Sequence, residues 1–64
     1  MIVVEVIETG DCAEAEDEEA ALLAARTIGR EARAHRGTQG FNPTLRFSVE
    51  GKFVRQITLR ELDR

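Results

Sequence analysis

Residues 18–36 form an uninterrupted helix-forming segment, rich in Ala and Leu and without Pro. This composition has high helix propensity, and Gly37 is placed to end the helix just past Arg36. At 1.5 Å per residue the helix is about 28 Å long. Residues 18–36 are also a large fraction of a chain of 64 residues. The segment therefore predicts a fold in which everything else packs against one long helix.

The predicted helix has three faces when its residues are placed at intervals of about 100°. The first is small and apolar, and we expect it to pack on a sheet: Ala21, Ala25, Ile28 and Ala32, flanked by Leu22 and Gly29. The second is a stripe of bases: Arg26, Arg30 and Arg33. The third is weakly apolar, whereas a solvent-exposed helix face is normally polar: Ala20, Leu23, Thr27 and Ala34. We interpret this third face as an interface with a partner.

The segment before the helix begins with a β-branched, almost entirely apolar run at residues 2–7, which predicts a central strand. Gly10 then suits a turn with positive φ. Residues 12–15 admit two interpretations. Asp11 and Glu14 have the spacing of a capping box that would begin the helix early, whereas apolar–polar alternation favours a second strand, with Asp17 capping the helix. We favour the second strand.

The segment after the helix predicts a hairpin. Leu45, Phe47 and Val49 alternate with polar residues, as in a half-buried strand. A turn of three residues, 50–52, would pair Val49 with Phe53 and Leu45 with Ile57. The last strand would run from Phe53 to about Leu62, and would place Arg55 opposite Phe47. Its inward-facing residues would be Phe53, Ile57 and Leu59.

These elements predict a single α+β domain over residues 1–64, with a β(β)αββ order and one long helix packed on a short antiparallel sheet that ends in a C-terminal hairpin. A chain of this size buries only about 60% of its unfolded surface, so its stability is marginal without a further constraint. Cys12 is the only cysteine, so no disulfide forms within the monomer. We therefore expect association with another chain.

The charges are unevenly distributed along the chain. Residues 1–25 carry eight acids and no base, whereas residues 26–64 carry nine bases and four acids, or +5. The net charge of −3 argues against nucleic-acid binding, but a merged basic patch would still contact phosphates. The candidate phosphate-binding residues are Arg26, Arg30, Arg33, Arg46, Lys52 and Arg55, with Arg60 nearby on the hairpin.

The residues give little evidence for a catalytic site, a metal site or a cofactor site. Cys12 and His35 lie near opposite ends of the predicted helix, about 30 Å apart. The acidic residues 14–19 lack the spacing of a calcium loop, and we expect them to complement the helix dipole. No apolar run is long enough to span a membrane, and a lone thiol fits a cytoplasmic protein. Eight arginines against one lysine suggest a bacterial or phage genome.

Two families resemble parts of the chain. The succession of residues 2–7, 18–36 and 45–62 is similar to dodecins, which are small flavin-binding homododecamers, although the tryptophan that stacks on flavin in that family is missing. The segment from Cys12 to Leu22 resembles the strand-to-helix passage of HicB-type antitoxins. The first resemblance implies a ligand-binding oligomer, and the second implies a regulator that binds nucleic acid.

The sequence as a whole predicts a non-enzymatic interaction module. It would act as a homo-oligomer or dock on a larger assembly, with the third helix face and the free sheet edge as contacts. An acidic first half and a basic second half would complement each other between neighbouring subunits. The alternatives are an antitoxin-like regulator that uses the arginine stripe and a dodecin-like oligomer that binds a small ligand.

Overall fold

The computed structural model describes residues 1–36 and 41–63 and confirms the α+β fold. The composition of residues 38–43 predicts a loop, of which residues 38–40 lie outside the described residues, together with Gly37 past the helix end and the side chain of His35. In chain order, the helices and strands are β1 Ile2–Val6, β2 Cys12–Ala15, α1 Glu18–Arg36, β3 Thr44–Val49, β4 Lys52–Thr58 and α2 Leu59–Leu62.

The four strands form one antiparallel sheet in the order β2-β1-β3-β4. β1 is central, as its β-branched composition predicts, because β2 and β3 both pair with it. Val4 lies opposite Ala13 on one side and Phe47 on the other. These three residues form one row, which lies on the sheet face that α1 covers.

The passage from β1 to α1 follows the second of the two predicted interpretations. Gly10 has φ 82°, and the amide of Val6 donates to the Asp11 carbonyl at 2.7 Å, which returns the chain into β2. Asp17 then caps α1, because its Oδ1 accepts a hydrogen bond of 2.8 Å from the amide of Ala20. Residues 12–15 therefore form a strand, and the helix does not begin early.

The core lies between one face of the sheet and the small apolar face of α1. The predicted helix residues Ala21, Ala25 and Ala32 are buried, while Ile28 and Leu22 are only partly buried. The sheet contributes the larger side chains, which are Val4, Val6, Leu45 and Phe47. Small residues on the helix let its backbone approach the sheet closely, so the core is thin.

The hairpin differs from the prediction in its turn. Glu50 and Gly51 have φ values of 51° and 79° and form a two-residue turn, so Val49 pairs with Lys52. The predicted pairing of Val49 with Phe53 is wrong. The pairing of Leu45 with Ile57 is confirmed, because a bulge next to Phe47 restores the register further along.

The bulge also changes where the β4 side chains point. Ser48 pairs with Phe53 and Phe47 with Arg55, so Val54 is the additional residue. The predicted inward position of Phe53 is therefore wrong, since Phe53 lies opposite Ser48, on the sheet face away from α1. Arg55 does lie opposite Phe47, as predicted, and its guanidinium carbon lies 5.1 Å from the centroid of the Phe47 ring.

The prediction that the last strand continues to Leu62 is also wrong. β4 ends at Thr58, whose hydroxyl accepts from the amide of Glu61 at 3.3 Å and begins the short helix α2. Leu59 is buried, as predicted, but it lies in α2 and packs on Gly29 of α1. A Cβ atom at Gly29 would lie only 2.9 Å from Leu59 Cδ1, so this position favours glycine.

We expect Leu59→Ala to lower the free energy of unfolding by about 2–5 kcal/mol, because it removes a fully buried side chain from the junction between α1 and β3. Leu59→Met is the matched control and should lower it by less than about 1.5 kcal/mol, since it conserves volume. Urea denaturation followed by circular dichroism measures both. Equal stability of the two variants would contradict this packing role.

Candidate interaction surface

The arginine stripe of α1 is partly neutralised by a carboxylate at the end of the chain. Arg30 Nη2 lies 3.0 Å and Arg26 Nε 3.9 Å from Oδ1 of Asp63. Arg26 also donates to the carbonyl of Leu62 at 3.4 Å. These contacts hold α2 against α1, so two of the three stripe arginines have a structural role.

Arg33, the third arginine of the stripe, lies near a different element. It lines a cavity of about 170 Å³ together with Phe41, Asn42 and Arg60. The amide of Arg60 donates to Asn42 Oδ1 at 3.0 Å, which positions the start of α2 beside this cavity. Arg33 and Arg60 are therefore neighbours, although they are distant in the sequence.

The remaining predicted phosphate-binding residues lie on the sheet and do not share one face. Arg46 lies on the face away from α1, with Nη1 3.9 Å from Glu5 Oε1. Lys52 and Arg55 lie on β4, opposite Val49 and Phe47. The structure thus places the six bases in separate groups, each with its own surroundings.

The third face of α1, the predicted partner interface, is largely exposed. Leu23, Thr27 and Ala34 are exposed, and the exposed fraction of Leu23 is 59%. The Thr27 hydroxyl donates to the Leu23 carbonyl at 3.0 Å, so its hydrogen bond is made within the helix. Ala20 is partly buried. Leu23 is therefore the one large apolar side chain among these four predicted interface residues.

A second apolar surface, which the sequence pattern did not predict, lies on β4. Phe53 and Val54 are 61% and 55% exposed, and Val49 beside them is also exposed. α1 packs mainly over β1 and β2, so this end of the sheet has less cover. We define the β4 edge as Lys52, Phe53, Val54 and Arg55.

An apolar cavity of about 190 Å³ adjoins the β4 edge on the side of α1. Val54 and Arg55 line it together with Phe47. Because Val54 lines this cavity while Phe53 lies on the opposite sheet face, the β4 edge exposes apolar surface on both sides. Further lining residues are Ile2, Glu18, Ala21 and Val49.

The irregular pattern of β4 was the available sequence signal for this surface. Val54 and Arg55 interrupt the apolar–polar alternation between Phe53 and Ile57. A bulge at this point keeps Ile57 paired with Leu45 and turns Phe53 outward. An interrupted alternation is therefore as consistent with an apolar residue that a bulge turns outward as with an arginine on the inward face of a regular strand.

Residues 1–36 and 41–63 contain no group of three His, Cys, Asp or Glu side chains arranged to hold a metal ion. Cys12, in β2, is an exposed free thiol. Neither helix in this part of the chain has the length and apolar character needed to cross a membrane.

No protein-family model, curated protein or solved structure matches the chain. The resemblances to dodecins and to HicB-type antitoxins therefore rest on the residues quoted for them.

We expect Asp63→Asn to raise the salt concentration at which the protein elutes from immobilised heparin, because it releases Arg26 and Arg30 to contact anions. Glu19→Gln is the matched control, since it removes one negative charge from an exposed position in the first turn of α1. Elution of the two variants at the same salt concentration would show that Asp63 does not neutralise the stripe.

Proposed function

We propose that this protein is a non-enzymatic interaction module that self-associates through the β4 edge. The observation that carries the proposal is the exposure of apolar side chains on both faces of this strand, with Phe53 on one side of the sheet and Val54 on the other. A strand at the edge of a sheet also presents unpaired backbone amide and carbonyl groups. Apolar surface on both faces is typical of a strand that is covered on both sides.

The thin core supports association. α1 contributes mainly alanine side chains to it, which bury little apolar area. Small domains are often stabilised by a disulfide or a metal ion. Cys12 is the only cysteine of the chain, so no disulfide forms within it, and the described residues contain no group of side chains arranged to hold a metal ion. Burying Phe53 and Val54 against another chain would add apolar area that the monomer leaves in water.

The two alternatives receive less support. A regulator that binds nucleic acid through the arginine stripe would need Arg26 and Arg30, which pair with Asp63 in this fold. A dodecin-like flavin site would need an aromatic stacking residue, and the chain has no Trp or Tyr. Association through the third face of α1 would rely mainly on Leu23, so a substitution of Leu23 tests that contact.

We expect the protein to be larger than a monomer at micromolar concentration in sedimentation equilibrium or light scattering. Val54→Asp should weaken the association at least about tenfold, because it places a charge in an apolar contact. Leu23→Asp is the matched control, with the same charge change at a similarly exposed position, 59% against 55%. It should leave the association unchanged.

Three results are informative. A strict monomer at about 100 μM would overturn the proposal. Loss of association in Leu23→Asp, with none in Val54→Asp, would move the contact to the third face of α1. Dissociation in Val54→Asp alone, with an unchanged circular dichroism spectrum, would support the β4 edge.

A further inference from the structure

We infer that the β4 edge binds the β2 side of a second copy of this chain, which gives a head-to-tail assembly with a continuous sheet. This inference rests on the proposed self-association and adds the identity of the opposite surface. We define the β2 edge as Glu14, Ala15, Glu16 and Asp17, together with the outer side of β2. Among the described residues, no strand pairs with the outer side of β2 or of β4.

The strand directions fit this arrangement. Each neighbouring pair in the order β2-β1-β3-β4 is antiparallel, so β2 and β4, at the two ends of the order, run in opposite directions. When a second copy is placed beside the first in the same orientation, its β2 therefore lies antiparallel to β4. The sheet continues without a change of pattern, and both helices lie on the same side.

The charges of the two edges are complementary. The β2 edge carries Glu14, Glu16 and Asp17 and has no base, whereas the β4 edge carries Lys52 and Arg55 and has no acid. Pairing of two β4 edges would bring like charges together, and pairing of two β2 edges would do the same. Only the contact between unlike edges brings opposite charges together, so it has the favourable electrostatics.

The apolar surfaces also correspond. On the β2 side, Met1, Ala15 and Ala20 line an open cavity bordered by Glu14, Glu16 and Asp17. Ala15 faces α1, as Val54 does, because Ala15 pairs with Ile2 and Ile2 lines the same cavity as Val54. A second copy would therefore meet Val54 with apolar atoms, and the carboxylates of Glu16 and Asp17, which follow Ala15 at the end of β2, would lie near Lys52.

The cross-strand rows predict which residues face each other. One row runs through Ala15, Ile2, Val49 and Lys52, and another through Cys12, Glu5, Arg46 and Gln56. Continuing each row into the next copy places Lys52 opposite Ala15, with Val54 left as the extra residue against the next copy as well. It also places Gln56 opposite Cys12.

The second row gives a direct test, because Cys12 is an exposed free thiol and the only cysteine of the chain. In the Gln56→Cys variant, oxidised glutathione should promote a disulfide between the new thiol of one copy and Cys12 of the next copy. Since every copy carries both thiols, non-reducing electrophoresis should show a ladder of dimers, trimers and larger species. Ser48→Cys, with its thiol on the central strand β3, is the control and should give no ladder.

Removal of the native thiol distinguishes the two ways in which β4 edges can associate. Cys12→Ala combined with Gln56→Cys should give no cross-linked species in a head-to-tail assembly. Dimers in this double variant would show that two β4 edges meet, and would overturn the inference while leaving the proposed self-association intact. A strict monomer of the unmodified protein would overturn both.

Exchange of charges gives an independent test. Lys52→Glu and Glu16→Lys should each weaken association by about tenfold, because each creates a like-charge contact between the edges. An equimolar mixture should recover the association, since the glutamate introduced in one variant then faces the lysine introduced in the other. Association that is unchanged in both variants, or not recovered in the mixture, would contradict the contact between unlike edges.

Discussion

The narrow, alanine-rich face of α1 determines how much of the sheet the helix covers. Alanines at positions 21, 25 and 32 bring the helix backbone close to β1 and β2, because the side chains buried at these three positions are small. A helix that lies this close covers a narrow strip. β3 and β4 therefore depend on other groups for cover, and the two ends of the hairpin obtain it in different ways.

At one end of β4 the cover comes from α2, and at the other it comes from a single arginine. Leu59 packs on Gly29, and Asp63 ties α2 to Arg26 and Arg30. At the turn end, the Arg55 guanidinium lies over Phe47, while Phe53 and Val54 remain exposed. The contacts that close one end of the fold thus also occupy the arginine stripe, and the open end is where the candidate interaction surface lies.

Local patterns in the sequence predicted the long elements and missed the features that depend on small shifts. The helix and the Asp17 cap follow from composition and spacing. The turn was missed because a two-residue turn with one bulge gives Leu45 and Ile57 the same pairing as a three-residue turn without a bulge. α2 had a visible signal, since Thr58 and Glu61 have capping-box spacing. The pairing of Arg30 with Asp63 had none, because helical periodicity carries no information about a residue 33 positions away.

Both ends of this sheet carry features that normally protect an edge strand, and the charges of the two ends are opposite in sign. A lysine and a bulge on an edge strand oppose uncontrolled pairing, and both occur in β4, at Lys52 and Val54. Carboxylates do the same for β2. Each edge therefore repels a copy of itself, yet the charge that repels its own kind attracts the other edge. In the proposed head-to-tail assembly, the same few side chains would both oppose random pairing and select one partner edge, which suits a chain of only 64 residues.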